Sequence, residues 1–368
     1  MNLNIGIIGS GSMALTHLLS LKTIQEKNLL SNKNANINIK GVADIDENKL
    51  DILKRNKNLK IEYFTTNSNE LIKDKTIDIV YITTPTKFHK EYFVQAAEER
   101  KNIFCEKPLA FSLKEIKEMI SVGKKQGISS QVGLVLRHSP TLWKLKQILL
   151  DNHEAFGKRL SYIFRDSQEW PIGNRIHPSE WRKDPSLAYA GCLYEHSIHD
   201  VDMLEYYFND ESKLDQLFAK IRYVSPITLN KLEDVASVKF EYKDGLVGSL
   251  LSIWNNVRMD ERRIEIFFEN GYIVLDGYTD IYFNKFEYLI GRRKKRLKAN
   301  EIIEEYQHVK NYPLMTPTRG HYLFENLSFM EAIIKEEKPY PGLEIGYRAH
   351  EIIEAAYQSS RENIQISI

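Results

Sequence analysis

Through residues 1–130 the chain alternates short, wholly apolar strands with stretches of helical periodicity, and few folds accommodate that pattern. "NIGIIGSGSMALTHLLSLKTI" reads as strand, glycine turn and helix; "INIKGVADID" and "TIDIVYITTPT" read as further strands. After the helical "KEYFVQAAEER" come the strand "KNIFCEKPLA", a helix whose Ser112 and Glu115 match a capping box, and the strand "SSQVGLVL". Strands with no polar face must be buried on both sides. The expectation is therefore a Rossmann-type, doubly wound parallel sheet covered by helices on both faces.

Beyond about residue 135 the pattern changes. Alternating strands follow one another: "RLSYIFRD", "LFAKIRYV", "ASVKFEY", "LVGSLLSIW", "RRIEIFFE" and "YIVLDG", with "KDG" and "ENG" as hairpin turns. They predict a large, mostly antiparallel open sheet, with helices from "YLFENLSFMEAIIKEE" and "LEIGYRAHEIIEAAYQSSRE" on a sheet face or on the first domain. The expected architecture is thus α/β plus α+β. Residues 1–130 form a nucleotide domain and residues 131–368 a domain for substrate and assembly.

Lys plus Arg number 51 and Asp plus Glu 50, so no net field draws nucleic acid or an anionic membrane, and a small-molecule partner is expected. No apolar run is long enough to span a bilayer, and the N-terminus lacks a secretory pattern. A cytoplasmic location is expected. Cys105 and Cys192 are read as packing residues, because two thiols make no disulfide framework. The basic run "GRRKKRLK" has no interleaved aromatics and reads as a solvated loop or strand end.

Gly9, Gly11 and Ala14 make a G-x-G-x-x-A turn between the first strand and the first helix. Such a turn brings backbone close to a pyrophosphate at a helix N-terminus, with Ser12 and Met13 among the residues that approach it. The next strand closes on Asp44, further along than the roughly 20 residues of the compact fingerprint, and the polar insertion at 25–36 accounts for the excess. A carboxylate there accepts ribose hydroxyls and repels a 2′-phosphate, which favours NAD over NADP; neighbouring Asp46 could share or replace its role.

Lys107 follows an apolar strand at its carboxyl end, where ligands of open α/β sheets bind. Taken with the glycine turn, "TTPTKFH", "CEKPLA" and "AGCLYEHSIHDVD", the chain resembles the Gfo/Idh/MocA oxidoreductases nearly end to end. The resemblance implies an acid/base or substrate-orienting role for Lys107, with Glu106 fixing its position. It places Thr84, Pro85 and His89 along the cofactor, and through "LRHSPTLW" it brings Arg137 to the site. Beside an oxidised nicotinamide a buried lysine is expected to have a lowered pKa.

In the second domain "EHSIHDVD" is expected to open a helix that sets Glu195, His199 and Asp202 on one face and Ile198, Val201 and Phe208 toward the core. The family commonly shows D-x-G-x-H-x-x-D here, with aspartate and histidine implicated in catalysis. This chain places Glu195 at the aspartate and Ser197 at the glycine. An alternative reading of His196 and His199 as metal ligands, with Glu195 or Asp200, finds no second ligand cluster, and no metal is expected.

The resemblance implies an NAD-dependent enzyme moving a hydride between nicotinamide and a secondary alcohol of a sugar, cyclitol or sugar derivative. Lys107, His199 and Glu195 are its candidate catalytic residues. Two alternatives are an NAD-retaining glycoside hydrolase of the same fold and a non-catalytic cofactor sensor. A homodimer or homotetramer is expected, because an open sheet has a second face to cover.

Overall fold

The protein is described by a computed structural model over residues 2–171, 179–209, 212–224, 232–255, 260–278, 282–313 and 320–368. In chain order the elements begin β1 (Asn2–Ile8), α1 (Ser12–Glu26), β2 (Asn36–Ala43), α2 (Glu47–Arg55), β3 (Tyr63–Thr65), α3 (Ser68–Lys73), β4 (Ile79–Ile82) and α4 (His89–Glu98). Then come β5 (Asn102–Cys105), α5 (Leu113–Gln126), β6 (Ser130–Val132), α6 (Pro140–Asp151), α7 (His153–Phe156), β7 (Arg159–Glu169), α8 (Pro185–Ala188), α9 (Cys192–Glu195) and α10 (Ile198–Phe208). The rest is β8 (Leu214–Arg222), β9 (Val235–Tyr242), β10 (Val247–Asn255), β11 (Glu261–Phe268), β12 (Gly271–Tyr278), β13 (Lys285–Ile290), β14 (Arg293–Arg296), α11 (Ala299–Val309), α12 (His321–Ile334), α13 (Leu343–Glu362) and β15 (Ile366–Ser367). Contacts divide the chain into two units, Met1–Val135 with Thr316–Tyr347, and Leu136–Met315 with Arg348–Ile368.

The first unit is built on a six-stranded sheet of order β3-β2-β1-β4-β5-β6, all parallel, which is the Rossmann order. Ile5, Ile7, Ile79, Tyr81 and Phe104 are fully buried, as strands covered on both faces require. Ser112 caps α5 by accepting from the Glu115 N–H at 3.3 Å, and Gly127 closes the helix at φ +67°. α12, from the far end of the sequence, packs on α1. Between the strands "INIKGVADID" and "TIDIVYITTPT" the chain also forms β3 and α3, whose three and six residues are too short for periodicity to reveal.

The second unit carries a nine-stranded sheet of order β14-β13-β12-β11-β7-β10-β9-β8-β15. Six of its strands are those expected; β13, β14 and β15 add to them. All pairings are antiparallel except β7 with β10, so the sheet is mixed at its centre. Gly245, at φ +90°, makes the turn between β9 and β10, where a side chain would be strained. One face is core: Tyr162, Phe164, Phe240, Leu250, Ile264 and Ile266 are at most 1 % exposed. The opposite face keeps Ile163 at 46 % and Val247 at 40 % exposure. The basic run forms exposed edge strand β14, and Lys294, Lys285 and Arg296 gather around the Glu287 carboxylate at 2.8, 3.0 and 3.5 Å.

Candidate active site

In the first unit the glycine turn is shaped by its surroundings. Gly9 has φ +95°, and a Cβ there would stand 2.8 Å from the Thr83 carbonyl, so only glycine fits. A Cβ on Gly11 would meet nothing within 4 Å, which leaves that side of the turn open to a ligand. Gly11 opens α1, whose first turn has neither a side-chain cap nor an acidic residue, so its amide groups and dipole favour an anion. This cradle fits the pyrophosphate of a dinucleotide.

Asp44 stands just past β2 with a carboxylate that reaches back to the turn. Its Oδ2 accepts from the Ser10 N–H and hydroxyl, both at 2.7 Å, and its Oδ1 accepts from the Asp46 N–H at 2.9 Å. Asp46 serves instead as the cap of α2, accepting from the Asn48 N–H at 3.0 Å. The two acids thus divide their work, and Asp44 is the one that faces the turn. Replacing Asp44 with alanine removes the brace on Ser10 and, in the NAD-preferring reading proposed below, an acceptor for ribose hydroxyls. Since hydrogen bonds to charged groups are worth about 1.5–3 kcal/mol, NADH affinity is expected to fall at least about tenfold, with discrimination against NADPH relaxed. Fluorescence titration with the two reduced nucleotides checks this; unchanged affinity for both would refute the assignment.

The loops after β4 and β5 are tied by His89. Its Nδ1 lies 2.7 Å from the Pro108 carbonyl and its Nε2 2.8 Å from the Thr84 carbonyl. Burial lowers its pKa, against the pull of those two carbonyls. His89 therefore braces the loop of Thr84 and Pro85 against the Glu106–Lys107–Pro108 loop.

Glu106 is nearly buried behind Lys107. Its Oε2 accepts the Lys107 N–H at 3.1 Å, and its Oε1 lies 2.9 Å from His17 Nε2. Burial opposes its ionisation, but the His17 hydrogen bond and nearby positive charge outweigh that and lower its pKa. Asn326 on α12 holds the other ring nitrogen of His17: its Oδ1 takes the Tyr81 hydroxyl at 2.9 Å, and its Nδ2 lies 3.0 Å from Nδ1. Oδ1 of the same amide lies 3.2 Å from Nδ1, so both amide atoms close on that face of the ring while Nε2 faces Glu106. Beside Asn326, Glu325 is fully buried, and burial with the Glu106 charge raises its pKa well above the ordinary carboxyl range. Sequence reading missed His17, Asn326 and Glu325. His17 and Asn326 are 309 positions apart, and no local pattern signals such a pair.

In the second unit the expected single helix is broken. α9 ends at Glu195 and α10 begins at Ile198, so Glu195 does not lie on one helical face with His199 and Asp202. The break falls at Ser197, whose N–H reaches five residues back to the Cys192 carbonyl at 3.0 Å and whose hydroxyl lies 2.7 Å from Asp166 and 2.6 Å from the Ser252 hydroxyl. Glu195 is fully buried and accepts from Arg182 Nε at 3.0 Å, a partner that sequence reading did not name. His196 Nδ1 accepts the Trp254 indole N–H at 2.6 Å. Among the described residues no group of three or more His, Cys, Asp or Glu could hold a metal ion.

His199 and Asp202 remain together on α10, and Ile198, Val201 and Phe208 turn to the core as the spacing predicts. Arg137 is bidentate to Asp202, with Nε 2.8 Å from Oδ2 and Nη2 2.8 Å from Oδ1. Its guanidinium is committed to the helix that carries His199. Asp200 faces the other way, sharing Arg262 with Asp166.

A parallel sheet of Rossmann order with a glycine cradle, in a chain that continues into a large mixed sheet, defines a dinucleotide-dependent oxidoreductase. The oxidoreductase-family profile for the NAD-binding Rossmann fold matches residues 3–134, and that for the C-terminal alpha/beta domain matches residues 167–368. The chain belongs to the Gfo/Idh/MocA oxidoreductase family. It is 27% identical over 366 residues to an uncharacterized oxidoreductase of Bacillus subtilis, covering 99% of this chain and 96% of the relative. It is also 27% identical over 280 residues to myo-inositol 2-dehydrogenase of Thermotoga maritima, covering 76% of each. Among solved structures, levoglucosan dehydrogenase in complex with NADH and L-sorbose superposes with a TM-score of 0.83 at 23% identity, over 100% of this chain and 99% of that one; at that identity the likeness is one of fold.

Proposed function

We propose that this chain is an NAD-dependent dehydrogenase acting on a secondary alcohol of a sugar, cyclitol or sugar derivative, with NAD preferred to NADP. The observation that carries the reading is the backing of Lys107: its own N–H held by a buried carboxylate, which is held in turn by His17. A solvated lysine at a strand end has no use for such support. Relatives named for inositol and levoglucosan dehydrogenases support the substrate class.

Bound NAD supplies the hydride acceptor. Gly9, Gly11, Ser12 and Met13 would hold its pyrophosphate, Asp44 its ribose, and the loop of Thr84 and Pro85, which His89 braces, would border it. Lys107 or His199 supplies the base that takes the substrate hydroxyl proton as the C–H bond is broken. Arg137 holds α10 through Asp202. Glu195, committed to Arg182, orients the segment before His199. Residues 1–130 are the nucleotide part and 131–368 the substrate and assembly part in this reading.

A panel of sugars, cyclitols and nucleotide sugars offered with NAD tests it. Accumulating NADH absorbance with a free polyol is expected; glycoside cleavage without net NADH would point to hydrolysis, and tight NAD binding with no turnover to a sensor. The sheet face bearing exposed Ile163 and Val247 is assigned to a second copy of the chain in a cytoplasmic homodimer or homotetramer. Light scattering at micromolar concentration is expected to give at least twice the 43.0 kDa chain mass, and a monomer would contradict the assignment.

A further inference from the structure

Glu233, immediately before β9, is 1 % exposed, and its carboxylate is filled by three donors. Oε2 accepts the Gly191 N–H at 2.6 Å; Oε1 accepts the Leu193 N–H at 3.1 Å and the Tyr357 hydroxyl at 2.6 Å. Its main chain joins in, since the Glu233 carbonyl accepts the Cys192 N–H at 2.9 Å. A Cβ at Gly191 would stand 1.9 Å from that carbonyl oxygen, so the approach is open to glycine alone. Three successive amides are therefore clasped by one residue. They open the short helix that ends in Glu195, four residues before His199.

We propose that Glu233 is a positioning residue of the reaction: its carboxyl oxygens and main-chain carbonyl clasp the Gly191–Leu193 segment and so hold Glu195 and His199 in working register. The inference rests on the dehydrogenase reading, because the residues it holds are the ones assigned there to the substrate side. All three bonds are made in one buried pocket, and the Tyr357 hydroxyl can accept the proton of a neutral carboxyl as well as donate to an ionised one. Burial pushes the Glu233 carboxyl up to about 7, against the Tyr357 and amide hydrogen bonds. The closed segment therefore holds that proton more tightly than an opened, solvated one, and the clasp loosens as pH rises through neutrality.

The other ionisable groups around Glu233 are Tyr357, Glu354 and Arg361 on α13, Cys192 on α9, Tyr189 and Tyr223 on neighbouring loops, and Asp234 beside it. Burial raises Tyr357, Tyr189, Tyr223 and Cys192 away from neutrality. Glu354, also raised by burial, accepts the Tyr189 hydroxyl at 3.2 Å and provides the control. The stability effect and turnover carry the same sign. With its folded-state pKa raised from the ordinary 4.5 to about 7, Glu233 keeps a proton through that window that the unfolded chain has released, so stability declines as pH rises through it. Turnover is expected to fall across the same window as the clasp loosens, a link that a merely structural role does not give.

The test measures amide hydrogen exchange at Gly191–Glu195 and kcat from about pH 5.5 to 8.5 on the intact protein, with the best polyol from the panel. In wild type, protection and kcat should fall together as pH rises through the about 7 set by Glu233. Glu233→Gln, a neutral isostere, should lose the inflection and keep the protection, and Glu233→Ala should lose the protection, with kcat roughly tenfold lower and NADH affinity unchanged. Tyr357→Phe removes one donor to the charged form without touching the amides and should move the inflection up by about half to one pH unit. Glu354→Gln should keep it in place. A Glu233→Gln protein that retains the inflection, a Glu233→Ala protein that retains the protection, or an inflection that ignores Tyr357→Phe, overturns the proposal. So does protection that follows pH while kcat does not. Absence of turnover with every polyol, alongside a pH-dependent clasp, overturns the dehydrogenase reading itself, and the positioning role falls with it.

Discussion

Lys107→Met is expected to lower kcat by about three orders of magnitude, within the range for losing a general acid/base, while NADH affinity and the thermal transition stay close to wild type. Methionine keeps most of the apolar stem and removes the amine, so the change isolates proton transfer from packing. The Glu106 bond to residue 107 is made by backbone N–H and survives the substitution. His199→Ala should impair the same step, and the double variant should lose much less than the product of the two single losses if both groups serve one proton transfer. Rate and binding are compared directly by steady-state kinetics and NADH titration. An active Lys107→Met enzyme, or a loss of NADH affinity equal to the loss of rate, would make the lysine structural or cofactor-binding.

Breaking the Arg137–Asp202 pair should carry the largest cost in stability. Both side chains are buried, at 7 % and 2 % exposure, so Asp202→Ala strands a guanidinium away from water. Removing one partner of a buried pair costs about 3–5 kcal/mol, whereas replacing both by apolar groups of similar volume is often neutral. Asp202→Ala should therefore lower the denaturation midpoint markedly, and the Arg137→Met, Asp202→Leu double variant should recover most of the loss. Denaturation followed by circular dichroism decides the matter; a single variant as stable as wild type would show that the pair contributes little. Kinetics on the double variant carry separate information, because a stable protein with poor kcat would mean that the pair also orients α10 and its His199.

Much of this site is written in short, local patterns. The glycine turn, the strand that closes on Asp44 and the lysine just past an apolar strand each depend on a few consecutive residues, and the conformations they need follow from backbone sterics. The Gly9 conformation at φ +95° is such a case. What local pattern could not supply is the identity of distant partners. Glu106 reads in sequence as the residue that fixes Lys107, but what holds Glu106 itself, His17 backed by Asn326, lies far away along the chain. Glu195 likewise reads as a substituted aspartate on a helix until Arg182 is seen to hold it and Ser197 to break that helix.

The sequence by itself determined the order of elements, the parallel character of the first sheet, the hairpins of the second and the nucleotide turn. Each of these is set by periodicity or by the φ/ψ freedom of adjacent residues, which are properties of a few consecutive positions. Only the tertiary structure decided that β7 pairs parallel with β10, that α12 returns to pack on α1, and that Glu233 closes on the Gly191–Leu193 segment. Those choices depend on which buried charges and orphan amides satisfy one another once the core has closed. A hydrogen bond spanning 42 residues leaves no periodicity at either end, because its two halves meet only when the folded chain excludes water from both.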